Sequence, residues 1–173
     1  MPYSLKGRNV LVTGGSRGLG ALICEKFAAE GSNVMINYVS NKDRADEVAE
    51  KLQKTFAVRV GIIQGDASVL ADNVRLVKET QAYLGGLDII IANAGWTRFS
   101  EFGNLNDLSY EEWNKGLLYS QQKIEHLKRR AALQQETLLD DCADAYISAA
   151  KNTSMTGQQI VVVAAKDSGV IIK

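Results

Sequence analysis

Tyr119 and Lys123 stand in a Tyr-x-x-x-Lys arrangement, a phenol and an ammonium at a spacing that shares one face of a helix. An ammonium held near a phenol lowers its pKa, so such a pair can move a proton on or off an alcohol. A second chemistry is written in "TGGSRGLG", Thr13 to Gly20. There Gly14 permits a tight turn, Gly18 lets the backbone come close to a pyrophosphate, and Gly20 lets a new helix pack on a sheet. The free N–H groups and positive dipole of that helix face the phosphates, with Ser16, Arg17 and Leu19 as further binding residues of the loop. A Gly-rich turn before any helix would look similar, so the elements around the loop decide between the two.

Those elements alternate. "NVLVTG" is a short β-branched run, "GALICEKFAAEG" a helix ending at Gly31, and "NVMINY" a second strand. "NKDRADEVAEKLQKTF" reads as an amphipathic helix, "VRVGIIQGD" as a third strand, "VLADNVRLVKETQAYLGG" as a third helix and "LDIIIANAG" as a fourth strand. Strand and helix in alternation predict βαβ units and a parallel sheet, an α/β fold of three layers and Rossmann type, doubly wound. Its ligands belong at the carboxyl ends of the strands. The 173 residues predict a single domain, with 1–115 supplying the dinucleotide-binding βα units and 116–173 the C-terminal helices and last strand.

Composition narrows the function further. Twenty basic and twenty acidic side chains leave no net charge, which argues against a nucleic-acid partner and against attraction to anionic lipid. No apolar run approaches the roughly 20 residues of a membrane span, and "MPYSLKGRN" has no apolar signal core, so a cytoplasmic protein is expected. Cys24 and Cys142 lack a metal or redox spacing and read as small buried residues. His126 is the sole histidine and reads as solvated; no metal site is expected. Ser109 with Glu112 reads as a capping box, Tyr110 and Trp113 as packing residues, and "KRR" at 128–130 as a solvated helix end.

"TGGSRGLG", "GDAS" at 65–68 and "NAG" at 93–95 stand at the ends of the first, third and fourth strands. In those places the chain resembles the short-chain dehydrogenase/reductase family, whose signatures are Thr-Gly-x-x-x-Gly-x-Gly, Asp-Ala/Val and Asn-Ala-Gly. "LSYEEWN" at 108–114 is similar to the stretch leading into the helix after the family's fourth strand, so the resemblance covers residues 5–115 almost continuously. It implies a nicotinamide cofactor, with Asp66 bonding the adenine amino group, Ala67 continuing that contact, and Asn93, Ala94 and Gly95 lining the ribose side while Asn93 also steadies the sheet. A helix cap and a turn are the other uses of Asp66 and Asn93.

A carboxylate at the end of the second strand would hold the ribose hydroxyls of NAD and repel a 2′-phosphate. This chain has "INYVSNK" there, with Asn37, Tyr38, Ser40, Asn41 and Lys42 and no acid, and Arg17 adds a fixed cation in the glycine loop. The expected cofactor is NADP.

The second half departs from the family pattern. No active-site Asn helix, no strand ending in a catalytic Ser and no Pro-Gly turn can be recognised, and the only proline is Pro2. The tail resembles the family again, with "ALQQETLLDDCADAYISAAKN" like its final helix and "MTGQQIVV" like its last strand. "GLLYSQQKIEHLKRR" is similar to the segment that covers the substrate, so an internal block is missing between Lys115 and Gly116. The link from Asn93 to Tyr119 is too short for a helix, a strand and a second helix, because one crossover alone takes about a dozen residues. Tyr119 also precedes Ser120, a helix N-cap type, and "IEHLKRR" lacks a broad apolar face, so the Tyr-Lys pair reads as spelling and no catalytic residue is assigned. The expected function is that of an NADP(H)-dependent short-chain oxidoreductase moving hydride between the dinucleotide and a small carbonyl or alcohol, inactive in this form. The alternative is a non-catalytic dinucleotide-binding or interaction protein, and an exposed sheet edge makes a homo-oligomer possible in either case.

Overall fold

In the computed structural model, which describes residues 3–95 and 139–152, the β-branched runs become four parallel strands. They are β1 (Asn9–Val12), β2 (Asn33–Tyr38), β3 (Val60–Gln64) and β4 (Ile89–Ile91), in the order β3-β2-β1-β4. Between them run α1 (Gly18–Ala29), α2 (Lys42–Thr55) and α3 (Leu70–Leu84), and α4 (Leu139–Lys151) follows. This is the expected parallel, Rossmann-type arrangement of sheet and flanking helices.

Side-chain alternation along the strands builds two cores. Val10, Val12, Val34, Ile36 and Val60 face Phe27 and Ile23 of α1, Leu52 of α2 and Ile147 of α4. Leu11, Met35 and Ile63 point to the other face, where Leu76 and Leu84 of α3 cover them. Each buried side chain of this kind contributes about 1.5–3 kcal/mol relative to an exposed one. The register holds the alternation in place, since Leu11 lies beside Met35 on one side and Ile90 on the other.

The helix ends follow local chemistry. Asn41 caps α2 by accepting the Arg44 N–H at 3.0 Å, and Gly85, at φ +86°, ends α3 in the left-handed conformation. Helix α1 starts at Gly18, two residues earlier than the apolar pattern predicts, which brings the end of the glycine loop into its first turn. Helix α4 packs on α1 through Ala143 and Ile147, and Lys26 on α1 pairs with Asp140 and Asp144. The last strand expected at 155–162, the junction at Lys115 and Gly116, and the region of Tyr119 and Lys123 lie outside the described residues. So do Ser109, Tyr110, Glu112, Trp113, His126 and 128–130.

No helix among the described residues is long and apolar enough to cross a membrane. Cys24 is buried and Cys142 only half-buried, so the expectation of two buried thiols holds for one of them.

Candidate functional site

The carboxyl ends of β1, β2, β3 and β4 carry the four sequence clusters, and the fold brings them to one edge of the sheet. At its centre is the loop from β1 to α1. Gly14 adopts φ +65° and Gly18 φ +53°, conformations that favour glycine. A Cβ on Gly20 would stand 2.2 Å from the Gly14 carbonyl oxygen and 2.6 Å from Asn93 Nδ2, so the helix can approach the loop only as glycine. Arg17 occupies the N-cap of α1 in an extended conformation, with no side chain accepting from the first turn. The leading N–H groups of α1 therefore lack a side-chain cap, and they stand where an anion is favoured.

The loop is fastened from both flanks. On the β4 side, the Thr13 hydroxyl donates to the Ile91 carbonyl at 3.2 Å and accepts the N–H groups of Asn93 and Ala94, each at 3.0 Å. Asn93 Nδ2 donates to the carbonyls of Thr13 (3.0 Å) and Gly14 (3.4 Å). On the β2 side, Asn37 Oδ1 accepts the Gly14 N–H at 3.2 Å, and the Asn37 carbonyl accepts the Gly15 N–H at 2.9 Å. Thr13 has a role that its place in the sequence does not announce. Its neighbours Asn93 and Ala94 are remote in sequence, and only the spatial closure shows its role.

Ser16 is half-buried, and Arg17 and Gly18 are exposed at the tip. Arg17 forms no ion pair among the described residues. At the end of β2 the expected residues divide. Asn37 is fully buried and its amide is committed to backbone partners, while Tyr38 is 6% exposed with its ring in the core. Ser40 is the exposed polar group of that strand end, followed by Asn41, whose side chain caps α2, and Lys42, whose ammonium pairs with Asp46 at 2.5 Å. At the end of β3, Asp66 is half-buried and its Oδ1 accepts from the Ser68 N–H (2.9 Å) and hydroxyl (2.7 Å). The Asp66 N–H donates to Asp72 Oδ2 at 2.7 Å. That bond, and then the Arg75 guanidinium, hold the Asp72 carboxyl below the usual carboxylate range. Ala67 is half-buried, and Ala94 and Gly95 are exposed at the β4 exit.

A glycine loop so tight that Gly20 has no room for a Cβ, at an uncapped helix start and beside an exposed cation, fits a pyrophosphate. Among the described residues no group of three or more His, Cys, Asp or Glu is placed to hold a metal.

The family model for short chain dehydrogenase matches residues 8–121, well over half of the chain. The chain belongs to the short-chain dehydrogenase family. Among curated relatives of this short-chain dehydrogenase chain, a short chain dehydrogenase/reductase of Aspergillus aculeatus, AacuN, is 36% identical over 114 residues, which cover 66% of this chain and 42% of the relative. An L-rhamnose 1-dehydrogenase (NADP(+)) of Thermoplasma acidophilum is 34% identical over 109 residues, covering 62% and 42%. A solved short chain dehydrogenase from Burkholderia cenocepacia, in complex with NADP, superposes with a TM-score of 0.57 at 30% identity, over 83% of this chain and 52% of that one. The chain thus spans about two-fifths of the length of these curated relatives.

Proposed function

We propose that this chain is the NADP(H)-binding part of a short-chain oxidoreductase acting on a carbonyl or alcohol, and that in this form it binds the dinucleotide without turning it over. The observation that carries the reading is the clamped glycine loop running into the uncapped start of α1, beside a β2 exit without a carboxylate. When bound, NADPH supplies a hydride. The residues of the chain do the holding. Gly14, Gly18, Gly20, Ser16 and Leu19 form the phosphate cradle and the first turn of α1. Arg17 and Ser40 flank the position of a 2′-phosphate, and among the described residues Arg17 forms no ion pair, whereas Lys42 is engaged by Asp46. Asp66 and Ala67 take the adenine side, and Asn93, Ala94 and Gly95 the ribose side. Asn37 and Tyr38 support the strand end from within.

Catalysis needs a positioned acid to protonate the developing alkoxide, a contribution of about 10² to 10⁴ in rate. The sequence assigns no such residue, and the short link from Asn93 argues against Tyr119 entering the cleft. Support for the oxidoreductase class comes from the family and from the relatives' names. A cytoplasmic location accords with the composition. The alternative, a dinucleotide-binding or interaction protein without catalysis, draws on the exposed Ile90 at the β4 edge.

Titration with NADPH and NADH tests the cofactor. NADPH is expected to bind at least about tenfold tighter, equivalent to one good charge-assisted contact, and Arg17→Ala to narrow the ratio. Equal affinities would overturn the assignment. NADPH oxidation with a panel of ketones and quinones tests the inactivity: no turnover, or weak turnover untouched by Tyr119→Phe and Lys123→Met, is expected. Robust turnover abolished by Tyr119→Phe would make that pair the active site.

A further inference from the structure

We infer that Asn37 is a positioning residue that sets the two halves of the adenosine–pyrophosphate site in register through one buried amide. The inference rests on the dinucleotide reading above and adds a role that the reading does not require.

The bonds on three peptide groups carry it. In the Thr13–Gly14 peptide, the carbonyl accepts from Asn93 Nδ2 and the N–H donates to Asn37 Oδ1. In the Gly14–Gly15 peptide, the carbonyl again accepts from Asn93 Nδ2 while the N–H donates to the Asn37 carbonyl. Each peptide is thus gripped on both edges, by β4 on one side and β2 on the other, and neither plane can rotate without breaking a bond. The third is the Gly65–Asp66 peptide, whose carbonyl accepts from Asn37 Nδ2 at 2.9 Å and whose N–H donates to Asp72. Its plane sets the direction in which the Asp66 side chain leaves the backbone. Asn37 is the residue common to all three.

Only an amide can do this. The site asks one side chain to accept from Gly14 and to donate to Gly65 and Ile63, in full burial. A carboxylate offers no donor, a hydroxyl offers one, and an apolar isostere offers neither. The partners lie 23 and 28 residues away in sequence, so the amide ties two loops that no local contact links. The glycine loop and the Asp66 turn would otherwise tilt independently, and a ligand spanning both would lose the preorganisation that keeps its binding tight.

A double-mutant cycle with adenosine 2′,5′-bisphosphate, read by calorimetry, separates positioning from mere support of the fold. Asn37→Ser and Asp66→Ala are each expected to weaken binding by about tenfold, and the pair together by no more than a few-fold beyond either, because Asp66 is already misplaced once Asn37 is gone. Val60→Ala, a buried β3 change away from the loops, is the destabilised control, and its effect should multiply with that of Asp66→Ala. Unchanged affinity in Asn37→Ser, or losses that multiply to about 100-fold, would overturn the inference. If Asn37→Ser does not fold, Asn37→Asp, which keeps the acceptor for Gly14 and loses the donors, enters the same cycle with the same two outcomes. Wild-type binding of NADPH with a multiplicative cycle removes the inference alone. Wild-type protein that binds neither ligand removes the cofactor reading as well.

Discussion

Gly20 has no room for a side chain, and Gly18 has nothing but room. A Cβ at Gly20 meets the Gly14 carbonyl and the Asn93 amide well inside contact distance, whereas at Gly18 it would meet nothing within 4 Å among the described residues and the positive φ resists substitution. Gly20→Ala is therefore expected to cost about 2–4 kcal/mol in urea unfolding, by forcing the loop off its clamps. Gly18→Ala should cost about 1 kcal/mol, the strain of the left-handed conformation alone. Equal losses would mean that the loop is free to move aside. The cysteines make a second contrast. Burial pushes the Cys24 thiol far above its ordinary value, and it lies among core side chains, while the half-buried Cys142 is raised less, by burial and by Asp141. Labelling of the native protein with a thiol reagent should modify Cys142 alone, slowly, and both cysteines in urea. Rapid native labelling of Cys24 would show that the core around α1 opens.

At the scale of elements, α4 tests how the tail is attached. Ile147 is buried against α1 and the Lys26 pairs with Asp140 and Asp144 lie at the surface. Ile147→Ala is expected to cost about 2–4 kcal/mol and Lys26→Ala far less, because exposed ion pairs are screened and entropically costly. The reverse order in thermal or urea unfolding would place the attachment in the charges. The turn between β3 and α3 and the start of β1 add a pH dependence. Asp72, bonded by the Asp66 N–H and then by Arg75, and Asp88, bonded by the Asn9 N–H and then by Arg8, are both held below the usual carboxylate range. Depressed carboxyls stabilise the fold above their unfolded pKa and lose that contribution as pH falls through the lower folded value, so stability should drop below about pH 4. Asp72→Asn should flatten that acid limb, and an unchanged limb would assign it elsewhere. These elements were largely legible in the sequence, because the runs at 9–14, 33–38 and 58–66 and the helical patterns between them agree with local propensity. What could not be read was how the strand ends are used. "INYVSNK" carries polar groups, but whether Asn37 faces a ligand or the interior depends on carbonyls at the end of β3 and a glycine of the loop after β1 that only the assembled sheet supplies. Arg17 as an uncapped N-cap likewise showed no signal, since arginine is not a capping residue.

At the scale of the molecule, the described residues cover the sheet unevenly. Three of the described helices lie over one face and α3 over the other, where Ile90 of β4, laterally paired with the buried Leu11, is 54% exposed. An apolar residue on a strand paired on one side only among the described residues is a place for association, and the absence of net charge does little to oppose it. Sedimentation over a concentration series is expected to show self-association that Ile90→Lys reduces. A sharply melting monomer at every concentration would show that the edge is satisfied within the chain. The bonds between Thr13 and Asn93 have a consequence in time as well as in space. Their partners are 80 residues apart in sequence, whereas β1, β2 and β3 join through successive crossovers. Loop closure favours the near pairings first, so the three-strand half should assemble before β4 docks, and the glycine loop should take its final shape in the last step. In pulse-labelled hydrogen exchange the amides of Met35 and Ile36 should become protected before those of Asn93 and Ala94, and a bound dinucleotide, gripping only the finished loop, should slow the opening of β4 more than that of β3.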